Sequence, residues 1–146
     1  MQKPTELVRE VLTTQRLAVL ATNGPDRPHT SLVAFVATAD LQMIVFATTR
    51  ATRKYRNIRD DNRVAVFVDN ARNSETDFRD AVALTAVGSA EEVGSQEREA
   101  LLRSYLHRHP ALADFVASPT CALMRVKVEK FDVVYRFQNV MELRVR

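Results

Sequence analysis

Short apolar runs separated by polar turns dominate the hydrophobic pattern of the chain. Five such runs before residue 95 have the length and the density of Val, Ile, Leu, Phe and Ala that are typical of buried strands. They are RLAVLAT, HTSLVAFVA, QMIVFAT, RVAVFVD and AVALTAVGSAEEV. Short turns, one of them the segment NGPDRP, join the first three runs, so these predict an antiparallel meander.

The last quarter of the chain continues the strand pattern. The segments CALMRVKVEKFDVVYRF and VMELRV predict the final strands, and apolar and basic residues alternate from Met124 to Val128. Gly88 lies inside the fifth run, where it predicts a bulge or a bend. The total is six or seven strands.

Helical spacing is confined to a few segments that flank the strands. KPTELVREVLTTQ has a proline near its start and apolar residues at helical intervals. SQEREALLRSYLHRH has Ser95 as the expected N-cap and ends before Pro110. ALADFVAS predicts one more short helix, and a basic segment predicts a helix from Thr52 to Asp60.

This order of elements predicts a mostly β fold, an antiparallel barrel or sandwich with flanking helices. Strand and helix do not alternate throughout, which excludes a doubly wound parallel sheet. The 146 residues contain no repeat and no linker rich in Pro, Gly or Ser, so we expect one domain over 1–146.

Composition places the chain among ordinary globular proteins, with 46% hydrophobic and 27% charged residues. The net charge of +3 is too small to indicate a partner by itself. One cysteine, Cys121, and the absence of a long apolar segment or a signal peptide lead us to expect a cytoplasmic protein without membrane contact. Cys121 itself is expected to be a core residue.

Positive charge is concentrated in one segment, TTRATRKYRNIRDDNR, which spans residues 48–63. If Thr52 caps the helix, Arg53 and Lys54 occupy its first turn, where the helix dipole disfavours cations. A bound anion removes this conflict, because backbone N–H groups and two cationic side chains can converge on one phosphate. Thr48 and Thr49 add hydroxyl donors nearby.

Two other interpretations of the segment remain open. The basic side chains can form a solvated helix face whose arginines pair with Asp60, Asp61 and more distant acids. Alternatively, they can bind nucleic acid, which predicts an affinity that falls steeply with salt. Positive charge elsewhere is interspersed with acids, as in VKVEKFD, so no nucleic-acid partner is expected.

The segments LVAFV, MIVFAT and TRKYRNIRDDNRVAV together resemble the FMN-binding split β-barrel proteins related to pyridoxamine 5′-phosphate oxidase. The resemblance runs from Leu17 to Asp69 and implies a split antiparallel barrel that binds FMN at the interface of a homodimer. It implies that Arg53 and Lys54 hold the FMN phosphate. It also implies that Thr48 and Thr49 contact phosphate or ribityl oxygens.

The same resemblance implies that main-chain groups of Ser31, Leu32 and Val33 line the flavin. Two features depart from the oxidase itself. Neither Ser31 nor Leu32 is basic where the oxidase has a further arginine, and the C-terminal segment YRFQNVMELRVR lacks the histidine of its Arg and His pair. Oxidation of pyridoxamine phosphate is therefore not expected.

A few remaining polar residues were candidates for chemistry. His29 follows Pro28 at a strand entrance and is expected to face solvent, although it can lie beside a cofactor. His107 and His109 are two apart near a helix end, which disfavours a metal pair and favours a cation at the helix C-terminus. Arg136 and Gln138 can touch substrate if the last strands reach the partner's cleft, but alternation between core and surface is expected.

The sequence thus predicts a flavin-dependent oxidoreductase of unknown substrate and electron donor, with no residue marked as a catalytic acid or base. FMN is the expected cofactor, with a deazaflavin or haem as alternatives. A second hypothesis is a non-catalytic protein that stores or senses flavin or haem.

Overall fold

The computed structural model describes residues 3–146 and consists mainly of strands. The seven strands are β1 Leu17–Asn23, β2 Pro28–Ala37, β3 Met43–Thr49, β4 Arg63–Asp69, β5 Val82–Glu92, β6 Cys121–Tyr135 and β7 Asn139–Arg144. The helices are α1 Pro4–Thr14, α2 Arg53–Asp60, α3 Asp77–Asp80, α4 Ser95–Arg108 and α5 Ala113–Ala117, with a 3-10 turn at Pro110–Leu112.

The strands form one antiparallel sheet in the order β3-β2-β1-β4-β5-β6-β7. Pairing of β3 with β6 closes the first six strands into a barrel, and β7 extends from β6 outside it. Closure leaves the barrel strands with few free edges. The predicted mostly β fold, a split barrel with flanking helices, is confirmed.

The barrel is split between β2 and β3. These strands pair only through Phe35–Ala37 of β2 and Ile44–Phe46 of β3, and beyond Phe35 they diverge. We call the opening between residues 28–34 and residues 47–49 the cleft. Helix α2 follows β3 directly and contacts β1, β2 and β5, so its start lies beside the cleft.

Apolar side chains fill the barrel interior and cover its ends. Helix α1 buries Leu7, Val8, Val11 and Leu12, as its helical spacing predicts. A second cluster packs α4 and α5 onto the outer face of β3 and β6 around Tyr105, and Cys121 lies within it as expected. No helix among residues 3–146 is long and apolar enough to cross a lipid bilayer.

Several details differ from the sequence-based expectations. Gly94, not Ser95, is the N-cap of α4, because Gly94 has the extended backbone and Ser95 is already helical. The polar segment before β5 contains the short helix α3. The strand predicted through Phe137 ends at Tyr135, since Arg136 and Phe137 have positive φ angles of 48° and 68° and form the turn into β7.

Candidate functional site

A hydroxyl network fixes the junction between β3 and α2. Thr52 is the N-cap as predicted, and its hydroxyl accepts a hydrogen bond from the backbone N–H of Tyr55 at 3.3 Å. The Thr48 hydroxyl lies 2.8 Å from that of Thr52, and each hydroxyl lies 3.1 Å from the carbonyl oxygen of Thr49. This network holds the first turn of α2 in one geometry.

The two cations of that first turn have no counter-charge. Within residues 3–146, the side chains of Arg53 and Lys54 form no hydrogen bond or ion pair, and no acid lies in the first turn of α2. Arg53 is exposed, but Lys54 is half-buried. Loss of water around the ammonium lowers the pKa of Lys54.

Nearby acids are engaged with other basic residues. Asp61 pairs with Arg63 at 2.8 Å and accepts a hydrogen bond from Asn23 at 3.2 Å. Hydrogen bonds from Arg63 hold the pKa of Asp61 well below its usual range. Glu92 pairs with Arg50 at 2.6 Å. Ion pairing therefore accounts for part of the basic segment but not for its first helical turn.

Helix α2 is held on the barrel by contacts along its other face. Ile58 is buried and Tyr55 packs against the core, since residues three apart share one face of a helix. The Tyr55 hydroxyl donates to Glu92 at 2.8 Å, and the buried Asn57 side chain donates to Thr22 at 3.0 Å. Sequence reasoning missed Glu92 and Thr22, because neither lies near α2 along the chain.

Strand β2 supplies the second wall of the cleft. Residues 28–34 pair with β1 on one edge and have no strand partner on the other among the described residues, so alternate N–H and C=O groups face the cleft. The Val33 side chain is buried in the core, whereas Leu32 is 66% exposed. The Ser31 hydroxyl oxygen is buried and, within residues 3–146, has no hydrogen-bond partner.

His29 shares the inward face of β2 with Ser31, two residues away. It is half-buried, not solvent-facing as expected, and its Nδ1 atom is also buried without a partner in the described part of the chain. Buried polar atoms in native proteins nearly always have partners. Two orphaned atoms on one strand therefore indicate that a further polar group or water completes this region.

The predicted site residues thus lie on the two walls of the cleft. Arg53, Lys54 and half-buried Thr49 flank the start of α2, while Ser31, Leu32 and Val33 lie on β2. Thr48 is buried and its hydroxyl already belongs to the cap network, so its contact with a ligand stays a prediction. Chemically, the arrangement offers an anion site at one end and an apolar strand with free backbone groups beside it.

The other candidates lie elsewhere. His109 is buried, and its Nε2 atom lies 2.7 Å from the carbonyl oxygen of Phe35, so it binds α4 to β2 and is not an exposed cation. His107 is exposed. Arg136 and Gln138 are in the turn at the far end of β6 from Cys121, which pairs with Thr49. The turn that contains Arg136 and Gln138 therefore does not reach the cleft of the same chain.

Comparison with known proteins identifies a family model and several solved structures. The model described as Pyridoxamine 5′-phosphate oxidase matches residues 4–135. None of the curated proteins matches the chain. A heme binding protein from Mycobacterium smegmatis has a TM-score of 0.87 at 16% identity, over 99% of this chain and 59% of that one. This chain therefore spans less than two thirds of that protein.

Two further structures match over nearly their whole length. HutZ, the heme storage protein from Vibrio cholerae, has a TM-score of 0.75 at 18% identity, over 99% of this chain and 96% of that one. A FAD-binding protein from Mesorhizobium loti has a TM-score of 0.69 at 19% identity, over 90% of this chain and 94% of that one. At these identities the likeness shows the fold alone.

Proposed function

Because the chain belongs to the pyridoxamine 5′-phosphate oxidase family, we propose that it is a flavin-binding oxidoreductase that holds FMN in the cleft between β2 and β3. The observation that carries this proposal is the uncompensated pair of cations, Arg53 and Lys54, at the capped start of α2. A flavin mononucleotide supplies what this arrangement lacks, a compact dianion joined to an apolar ring.

The phosphate end of the ligand is supported by electrostatics. The start of a helix carries about +0.5 of a charge from its free N–H groups, and Arg53 and Lys54 add two full charges. Lys54 already loses part of its hydration in the folded chain, so a phosphate oxygen can replace the missing water at little further cost. Thr49 is placed to donate a hydroxyl to phosphate or to the ribityl chain.

The ring end is supported by the second wall of the cleft. Flavin rings require an apolar surface together with a few polar contacts at their edge. Leu32 provides exposed apolar surface, and its main-chain N–H and C=O face the unpaired edge of β2. The main-chain groups of Ser31 and Val33 face β1 instead. This follows because the Phe35 N–H donates to the carbonyl oxygen of Arg16 on the β1 side and the direction alternates along the strand. The orphaned Ser31 hydroxyl fits a ligand that carries polar atoms.

A homodimer is part of the proposal, as the resemblance implies. Leu32 lies opposite Val19 of β1, and Val19 lies opposite Phe67 of β4, so exposed apolar side chains continue across three adjacent strands. A patch of this kind on a small protein is typical of a protein interface. A second copy seated there closes the cleft.

In such a protein the bound flavin supplies the hydride or electron chemistry. The residues of this chain bind and orient it: Arg53 and Lys54 fix the phosphate, and the β2 backbone fixes the ring edge. Apolar Leu32 and Phe67 exclude water around it. The substrate is a small molecule that enters beside the ring, and the electron donor is not specified by these residues.

The alternative function is flavin or haem storage or sensing without catalysis. Structures of similar fold include proteins described as heme binding and as a heme storage protein. The Nδ1 atom of His29 has no hydrogen-bond partner among residues 3–146. Imidazole is a common axial ligand of haem iron. Haem titration of the His29→Ala variant distinguishes this case, since haem affinity falls only if His29 is the ligand.

The test of the proposed function is spectroscopic. The purified protein is examined for flavin absorbance, then titrated with FMN, with a deazaflavin and with haemin. The proposal predicts FMN binding and reduction of the bound FMN by NAD(P)H or dithionite, followed by reoxidation by an added acceptor. Failure to bind any flavin contradicts the proposal, and a bound flavin that no donor and acceptor can cycle favours storage.

A further inference from the structure

A second concave region lies away from the cleft, between the C-terminal ends of α1 and α4 and the turn that joins β2 to β3. It is a cavity of about 500 Å³ that contains none of the predicted cofactor residues. Leu12, Val36 and Leu41 supply apolar lining, and the threonines at 13, 14 and 38 supply hydroxyls. A volume of several hundred Å³ with mixed lining is typical of small-molecule sites.

The cavity, which we call the arginine cavity, is lined by three guanidinium groups. They belong to Arg9, Arg16 and Arg108; His107 lies beside them, and none of the described residues that line the cavity is acidic. Arg16 forms no side-chain hydrogen bond or ion pair within residues 3–146. Burial and, secondarily, the positive charge of Arg16 lower the pKa of Arg108, so the two guanidinium groups repel each other.

Part of this charge has a structural explanation. Arg108 donates to the carbonyl oxygens of Leu12 at 2.8 Å, Thr13 at 3.4 Å and also Gln15, so it caps the C-terminus of α1. Arg9 donates to the carbonyl oxygen of Ala39 at 2.6 Å. Cations are favoured where helices end, because each end carries about −0.5 of a charge.

The helix ends do not account for the whole cluster. Two C-terminal ends, those of α1 and α4, contribute roughly −1 in total, whereas three guanidinium groups contribute +3. The surplus of about two positive charges is carried by Arg16, which has no side-chain hydrogen bond within residues 3–146, and by Arg9, which donates to a neutral carbonyl oxygen outside the helix ends. A cluster of positive charges without counter-charges, beside an apolar wall, is suited to bind an organic anion.

We propose that the arginine cavity binds a small organic anion, a carboxylate or phosphate monoester with an apolar body. The guanidinium of Arg16 holds the anionic head, because its planar donors match two oxygens of either group. Leu12 and Val36 contact the apolar body. This binding site is distinct from the cleft and does not depend on the flavin.

Phenyl phosphate and benzoate serve as probes for the two head groups. Each is titrated into uniformly ¹⁵N-labelled protein, and amide shifts are recorded by NMR. We expect saturable shifts at Arg16, Thr38 and Ala39 with at least one probe. Arg16→Gln is expected to weaken that binding about tenfold or more, since a charge-assisted hydrogen bond is lost.

Arg103→Gln is the matched control, because Arg103 lies on the same helix as His107 but pairs with Glu99 outside the cavity. It is expected to leave the affinity unchanged. The double variant Arg53→Ala, Lys54→Ala separates this site from the cleft and is expected to retain the shifts. The proposal is overturned if neither probe binds at millimolar concentration, if Arg16→Gln binds as well as the parent protein, or if the shifts occur only around α2.

Discussion

Lys54 shows most clearly how one side chain can be unfavourable for folding and useful for binding. Its ammonium is half-buried, faces no acid within residues 3–146 and lies at the helix end where positive charge is least stable. Such a placement destabilises the ligand-free protein slightly. A phosphate bound at the start of α2 makes the position of the Lys54 ammonium favourable, because the ammonium then contacts a negative charge.

Replacing the Lys54 ammonium with an apolar group of similar length should therefore affect the stability of the fold and the affinity for FMN in opposite directions. In Lys54→Met, we expect the free energy of unfolding of the flavin-free protein to rise by a few tenths of a kcal/mol, since solvent still screens the exposed part of the charge. The affinity for FMN should fall about tenfold or more. Urea denaturation and FMN titration measure the two effects.

Arg59→Met is the control for this substitution, because Arg59 is an exposed basic residue of the same helix. It should change neither quantity appreciably. A Lys54→Met variant that is less stable than the parent and binds FMN normally would show that Lys54 has a structural role only.

For single residues, the sequence predicted where Thr52, Arg53 and Lys54 lie along α2, but it did not predict what surrounds them in the fold. The Thr52 cap and the first-turn cations follow from local spacing, and both predictions are confirmed for the helix itself. Burial of Lys54 and the orphaned atoms of His29 and Ser31 depend on how α2 and β2 meet. No local pattern encodes that geometry.

At the scale of elements, the orientation of α2 depends on a distant acid. Glu92, at the end of β5, accepts hydrogen bonds from Arg50 and from the Tyr55 hydroxyl and so ties both ends of the β3–α2 junction to the barrel. These hydrogen bonds, that of Arg50 first, lower the pKa of Glu92 below its ordinary value. The charge of one residue thereby positions the helix that carries Arg53 and Lys54.

Replacing Glu92 with a neutral residue should make the free energy of unfolding less dependent on pH. A carboxyl with a depressed pKa stabilises the fold above its unfolded value of about 4.5 and loses that contribution as the pH falls through the folded value. Glu92→Gln should therefore be less stable than the parent by about 0.5–1 kcal/mol at pH 7. The difference should shrink in acid.

Urea unfolding at neutral pH and at a pH below about 4 measures this difference. Glu99→Gln is the control, since Glu99 forms only an exposed pair with Arg103. A difference between Glu92→Gln and the parent that stays constant with pH would mean that the charge of Glu92 is not what holds α2.

The register irregularity opposite Gly88 permits a second test. The register between β5 and β6 shifts between Val87 and Gly88, where the sequence predicted a bulge or a bend, and the extra residue is Glu129 of β6. A Cβ atom on Gly88 would lie 2.0 Å from the carbonyl oxygen of Lys127. Gly88→Ala must displace backbone, so we expect a loss of about 2–3 kcal/mol. Gly94→Ala, which meets nothing within 4 Å, should cost less than about 1 kcal/mol in the same denaturation experiment. Equal losses would contradict the steric explanation.

Elements were predictable where one periodicity extends over several residues. All five strands before residue 95 and the helices α1 and α4 follow from apolar spacing, and α2 follows from the basic segment and its Thr52 cap. The short helix α3 and the turn at Arg136 and Phe137 were missed, because the first has no buried residue and the second places two non-glycine residues at positive φ. The split between β2 and β3 results from barrel closure by β3 and β6, which the pattern of a single strand cannot show.

For the whole molecule, the central feature is the apolar patch on the outer face of β1, β2 and β4. Leu17, Leu32 and Phe67 are each at least 40% exposed, although they belong to well-paired strands. We propose that a second copy covers this patch and completes the cleft. Flavin binding and dimer formation are then coupled, since ligand that binds only the dimer stabilises it by mass action.

A charge placed in the patch should therefore disrupt both properties. Leu32→Asp is expected to convert a dimer into a monomer, because a carboxylate at a dry interface loses its hydration, and FMN affinity should fall with it. Light scattering coupled to size-exclusion chromatography measures the mass. Val140→Asp is the control, since Val140 is 70% exposed on β7, outside the barrel. A dimer unchanged in Leu32→Asp would place the interface elsewhere.

The phosphate site is tested most directly by titrating FMN into the parent protein, the double variant Arg53→Ala, Lys54→Ala, and the control Arg59→Ala, with flavin fluorescence as the signal. Each lost charge-assisted hydrogen bond costs about 1.5–3 kcal/mol, so the double variant should bind FMN at least a hundredfold more weakly than the parent. The control should bind normally. Equal FMN affinity in the parent and the double variant would contradict the proposed phosphate site at the start of α2.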